Sequence, residues 1–210
     1  MRVRHNPFAP VREDIWGQVT DADRIPDEEQ VAEGFWKHDV VRVEAGEWVV
    51  TFDQGITRAQ NSSYDQKYTR IRAPYANRDG FRFCIYRDSH GLLSNLGRLL
   101  GMQDIEVGYS DFDADFIIKG NDEAQLRALF ANAKLRHLVS AQQSFRLQVK
   151  KDEGWFGPRF PDGVDELYFA TPEWVVHIEE IRALFDLFSE ALNQLCHIGS
   201  AYEDDPQLVI

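Results

Sequence analysis

Cysteine is scarce: Cys84 and Cys196 are the only two in 210 residues, and they stand in unlike surroundings with no CxxC or Cys/His ligand spacing. That excludes a zinc framework or a disulfide scaffold as the source of stability. No run of 18 or more apolar residues occurs, so no helix is expected to span a membrane. The opening residues, MRVRHNPFAPVRED, carry charge but no apolar stretch of the kind a secretory signal needs, and the expected location is the cytoplasm. GxSxG, P-loop, GxGxxG and HExxH patterns are all missing, which removes the usual catalytic and nucleotide-binding signatures. His5, His38, His90, His137, His177 and His197 are scattered, and none forms a ligand-spaced pair. No cofactor is implied. Internal repeats and low-complexity tracts are absent as well.

Large apolar residues are plentiful. Hydrophobic residues make up 43% of the chain and aromatics 12%, with 14 phenylalanines and five tryptophans. That is enough to fill a core built on rings. The net charge of −12 argues against wholesale binding to nucleic acid or to an anionic membrane. The charge is uneven, however. Residues 1–57 hold 6 basic and 12 acidic groups, 58–98 hold 8 and 3, and 99–210 hold 9 and 20.

The local patterns predict an irregular segment over 1–25, a single α+β domain over 26–199 and an acidic tail over 200–210. Pro26 followed by three acids predicts a short helix to about Trp36. Val40–Glu44 and Trp48–Asp53 read as a hairpin about Ala45-Gly46, and 54–66 as a loop. Tyr68–Ala73 and Phe81–Arg87 alternate as strands, with a turn at Asn77-Arg78-Asp79-Gly80 that would pair them. Gly91–Leu100 reads as a helix, Ile105–Tyr109 and Phe112–Lys119 as strands, and 121–137 as a helix capped by Asn121 or Asp122. Phe145–Lys151 alternates again. A long final helix is expected from Thr171 as cap, with Pro172 at its first turn, to about Ile198, stopping at Gly199. The fold class this implies is α+β: a mainly antiparallel sheet covered on one face by helices, with a long amphipathic C-terminal helix.

Three groups of residues bear on function. Arg70 and Arg72 share a strand face, and Arg82 would join them if its strand pairs with theirs, making a guanidinium surface for a carboxylate or phosphate. Internal pairing of these arginines with the chain's many acids is the plainer expectation. The loop Trp155, Phe156, Phe160 concentrates rings among turn residues and reads equally as a binding anchor or a cover over the core. Trp174, Ile178, Ile181, Phe185, Phe188, Leu192 and Leu195 form a heptad-like stripe, more simply explained by packing on the domain's own sheet than by a partner helix. Asp111, Asp113 and Asp115 mimic the spacing of a calcium loop, but Phe116 stands where that loop needs glycine, and no metal is expected. Cys84, on a strand, reads as an inert buried thiol.

The runs YTRIRAP, DGFRFCIYR, GMQDIEVGYSDFDADFIIKGND, LYFATPE and LFDLFSEALNQL resemble a family of uncharacterised bacterial cytoplasmic proteins. Its members share an FDxxFxIxGN strand–helix junction, here Phe112 to Asn121. The resemblance spans roughly residues 47–198 and carries no catalytic residue. The expected function is a non-catalytic protein-interaction module, able to pair with itself or another protein. The alternative is a small-anion binder or enzyme built on Arg70, Arg72 and Arg82.

Overall fold

The computed structural model describes residues 35–45, 48–58, 65–87, 103–151, 160–175 and 177–201. Predictions for 1–34, for Gly91–Leu100, for Trp155 and Phe156, and for the tail after Ala201 lie outside these residues.

Alternating side chains make the strands, and one mixed-length antiparallel sheet gathers them. In chain order they are β1 (Phe35–Ala45), β2 (Trp48–Arg58), β3 (Asp65–Ala76), β4 (Phe83–Tyr86), β5 (Gln103–Asp104), β6 (Ile117–Gly120), β7 (Arg146–Lys150) and β8 (Val164–Thr171). Across the sheet the order is β1-β2-β3-β8-β7-β4-β6-β5. The helices are α1 (Ser110–Asp115), α2 (Glu123–Leu129), α3 (Ala133–Ser140) and α4 (Ile178–His197). The α+β class is therefore as expected.

Directly opposed residues in antiparallel strands share a face. One cross-strand row runs Phe52, Ile71, Phe169, Leu147, Ile85, Ile118, and all six side chains are buried. The helices pack on this face. Phe185 of α4 stacks on Phe52, and Phe130 after α2 meets Phe83 edge-on. Phe112 of α1 packs on Phe116, which meets Phe145. Leu135 and Val139 of α3 join the same core.

Several predicted elements fall differently. The β1–β2 hairpin forms, with Ala45 opposite Trp48, but both strands are longer than expected. Trp36 lies in β1, and Gln54–Arg58 continue β2. Strands β3 and β4 do not pair, because β8 and β7 lie between them. The eight residues of β8 offer β3 a longer ladder than the four of β4 do. The Asn77–Gly80 turn serves this arrangement. The Asn77 N–H donates to the Gly163 carbonyl at 2.7 Å and its side-chain amide to Asp165 at 2.7 Å.

Residues 110–115 form a helix rather than the start of a strand. The Asp113 carboxylate accepts the N–H groups of Val107, Gly108 and Tyr109 at 2.8–2.9 Å. Those backbone donors are thereby drawn away from any ladder. The predicted helix over 121–137 is two helices. Asp122 caps α2, as expected. Asn132 then caps α3 and donates to Glu190 and Gln194 of α4.

Thr171 ends β8 and does not cap the last helix, which begins six residues after Pro172. The intervening backbone is spent on the sheet. The Thr69 hydroxyl donates to the Glu173 carbonyl at 2.7 Å and accepts from the Val175 N–H at 3.0 Å, while Gln54 donates to the Val175 carbonyl at 2.7 Å. The far end behaves as read: α4 stops at His197 and Gly199 turns the chain at φ +81°, a conformation that favours glycine.

Candidate functional site

The apolar stripe of α4 is not a free surface. Ile181, Leu184, Leu187, Phe188, Leu192 and Leu195 are all buried in the domain's own core, so Ile181 and Phe188 are packing residues. Trp174 precedes the helix and belongs to a different contact. Its indole N–H donates to the Gly55 carbonyl at 3.0 Å, and the Lys67 ammonium sits 4.6 Å from its ring centre. Phe160 is half-buried just before β8.

The opposite face of the sheet is chemically unlike the core face. No described helix packs on it. One row across it runs Asp53, Arg70, Ala170, Arg146, Tyr86, Ile117. The adjoining row runs Thr51, Arg72, Tyr168, Gln148, Cys84, Lys119, Asp104, and Pro74, Glu166 and Lys150 begin a third. Five cations, three carboxylates and the rings of Tyr68, Tyr86 and Tyr168 thus share one surface.

Arg70 and Arg72 lie together on this face, as their alternation implies. The structure turns both toward Asp53, which the sequence did not single out. The Asp53 carboxylate, fully buried, accepts Arg70 Nε at 2.7 Å and Nη2 at 3.1 Å, and Arg72 Nη2 at 2.8 Å. Burial works to lower the Arg70 pKa, but the charge and hydrogen bonds of Asp53 outweigh it and hold it above its ordinary value. The Arg70 guanidinium also lies 4.8 Å from the centre of the Tyr68 ring. Arg82 does not join them. It precedes β4, three strands and about 14 Å from β3, where its backbone N–H donates to Asn121 at 2.8 Å. A three-arginine anion site is therefore not assembled, and two of its members are committed to a native acid.

Next to the clamp, Glu166 is fully buried with Lys150 at 3.8 Å, and that ammonium lies 4.0 Å from the Tyr168 ring centre. Burial, foremost, pushes the Tyr168 hydroxyl up to about 12. Lys119 pairs with Asp104 at 2.9 Å near the β5 edge. Cys84 is fully buried, and that burial pushes its thiol up to about 12 despite nearby Arg146 and Lys119. A thiol so shifted is not a nucleophile at neutral pH.

Among the described residues, no group of three His, Cys, Asp or Glu side chains is placed to hold a metal ion. Asp111 and Asp115 face solvent while Asp113 holds backbone. No helix among the described residues is long and apolar enough to cross a membrane. An open groove of about 560 Å³ lies between α2 and the end of α4, lined by Ala124, Ala128, Ala131, Gln194, His197 and Ile198.

Of the polar face, the alternation of Phe145–Lys151 already placed Arg146, Gln148 and Lys150 together. Glu166 and Tyr168 were missed because β8 was not read as a strand, although VDELYFAT carries the ring and β-branched residues of one.

No family model matches the chain, and no curated protein is significantly similar to it. The crystal structure of the mycobacterial trehalose monomycolate transport factor A is similar in fold, with a TM-score of 0.52 over 87% of this chain and 91% of that one. Sequence identity is 8%, so the likeness shows the fold alone.

Proposed function

We propose that this chain is a cytoplasmic, non-catalytic protein-interaction module, and that it recognises its partner through the helix-free face of the sheet. The observation that carries this reading is the asymmetry of that sheet. One face is an apolar row under four helices; the other carries arginine, lysine and tyrosine interleaved with Asp53, Glu166 and Asp104. Rings and guanidiniums are the side chains that anchor protein interfaces. The described chemistry supports binding better than turnover, since the thiol is buried and the two central arginines are held by Asp53. The transport factor that shares the fold does not bear on the choice.

The test compares three forms of the full-length, affinity-tagged chain in lysate of its own host: wild type, Arg146→Glu with Lys119→Glu, and Arg127→Gln. Arg127 lies on α2, exposed and paired with Glu123, on the other side of the sheet. Quantitative mass spectrometry of the retained proteins is expected to show partners held by wild type and by Arg127→Gln but lost from the face variant. Retention insensitive to the face substitutions, or no enrichment at all, would overturn the reading.

A further inference from the structure

We infer that the chain pairs with a second copy of itself along the outer edge of β1, antiparallel, with Val41 meeting Val41 of the second copy. The sheet order carries the inference. β1 and β5 are its two end strands. β5 has two residues, too few to template another strand, whereas β1 has eleven. One side of the β1 backbone is spent on β2, and no described strand takes the other. A row of amides and carbonyls left this way is a ready template for a further strand.

The sequence of β1 selects its own copy as that strand. A two-fold axis perpendicular to the sheet keeps each face on its own side, so only registers that oppose residues of one face are open. Against β2, a bulge between Lys37 and Asp39 sets His38 aside. Counted the same way on the outer edge, the register centred on Val41 places Val40 opposite Arg42, Asp39 opposite Val43 and Lys37 opposite Glu44, each twice by symmetry. The next open register on one side places Arg42 opposite Arg42. The next on the other side places Arg42 opposite Lys37. Directly opposed like charges destabilise an antiparallel pair and opposite charges support it, so the register about Val41 is singled out.

This pairing is independent of the recognition surface, because the edge of β1 belongs to neither face. It adds to that surface, however. The two-fold axis leaves the helix-free faces of both copies on one side, where a repetitive partner would be held at two points.

Engineered cysteines test the register in full-length protein carrying Cys196→Ser, which leaves the buried Cys84 as the one native thiol. Opposed Cα atoms in an antiparallel pair lie about 4.5–5.5 Å apart, within the span a disulfide bridges. The two copies of residue 43 would lie about 14 Å apart along the strands. Val41→Cys is therefore expected to form an intermolecular disulfide under mild oxidation at least about tenfold faster than Val43→Cys. Sedimentation equilibrium of the reduced protein gives a second reading. Lys37→Glu is expected to weaken self-association about fivefold, and Glu44→Lys added to it to restore the wild-type constant. Equal oxidation rates at 41 and 43 would overturn the inference. So would a wild-type chain that sediments as a monomer at every concentration, or a loss on Lys37→Glu that Glu44→Lys does not repair. Partner retention that still responds to Arg146→Glu with Lys119→Glu in any of those cases leaves the recognition surface standing.

Discussion

Removing the carboxylate of Asp53 would leave Arg70 and Arg72 side by side with no counter-charge. Asp53 has no exposed surface and Arg72 is only 4% exposed, so water cannot take the carboxylate's place. Breaking a buried ion pair by deleting one partner typically costs about 3–5 kcal/mol, because the remaining charge stays desolvated. Asp53→Asn is expected to lose that much in urea unfolding, and Asp53→Asn combined with Arg72→Met to lose less than Asp53→Asn alone. A loss below about 1 kcal/mol would mean the clamp is wet and weak, as surface pairs are. Only half of this cluster was legible in the sequence. The alternation Tyr68, Arg70, Arg72 gives the two cations and their common face. Their acid sits 17 residues away on a different strand, within a stretch that also offers Glu44 and Glu47, and only the β2–β3 register selects it.

Elements were read well where local chemistry decides and badly where a competitor for the same backbone groups lies far off in sequence. The cap at Asp122, the stop at Gly199 and the β1–β2 hairpin depend on neighbours, and they stand. The start of α4 was misplaced because Thr69 and Gln54, over a hundred residues upstream, hold the Glu173 and Val175 backbone that Pro172 and Glu173 had seemed to begin a helix with. Phe112 and Phe116 were assigned to a strand because a spacing of four satisfies both a period of two and one helical turn.

The β3–β4 turn was recognised and its strand partner was not, and Asp165 at the head of β8 is part of the reason. Asp165 is buried and accepts the Asn77 amide. Burial, foremost, raises its pKa; the Asn77 hydrogen bond and nearby Arg82 and Lys151 only partly oppose that. A carboxyl whose folded pKa lies above its unfolded value binds its proton more tightly in the fold. Its contribution to stability is therefore present in full below the unfolded pKa and is lost as pH rises through the folded one. The ionised form therefore carries a penalty in the wild type that grows as pH rises above the ordinary carboxylate value. Asp165→Asn keeps an acceptor for Asn77 without the charge, so it is expected to be more stable than wild type at pH 7. The gap should close as pH falls toward 3.8, the carboxyl's ordinary value. Urea midpoints of both proteins across that range decide it, and a gap that widened on acidification would show that the charge is favourable where it stands.

For the molecule as a whole, the net charge of −12 sets the response to salt. Excess like charge repels itself across the compact state and destabilises it. Salt at 0.1 M shortens the reach of that repulsion to about 10 Å, while the Asp53 clamp, dry and at contact distance, is screened far less. Global stability is therefore expected to rise between about 20 mM and 0.3 M NaCl, read as an upward shift of the thermal midpoint. Amide exchange on full-length protein follows the same change residue by residue, slowing at Leu147 and Phe169 of the core row. A midpoint that fell with salt would mean that attraction between exposed charges outweighs repulsion in the fold. Stability would then rest on surface pairs such as Lys119–Asp104 and Arg127–Glu123 rather than on the apolar row beneath the helices.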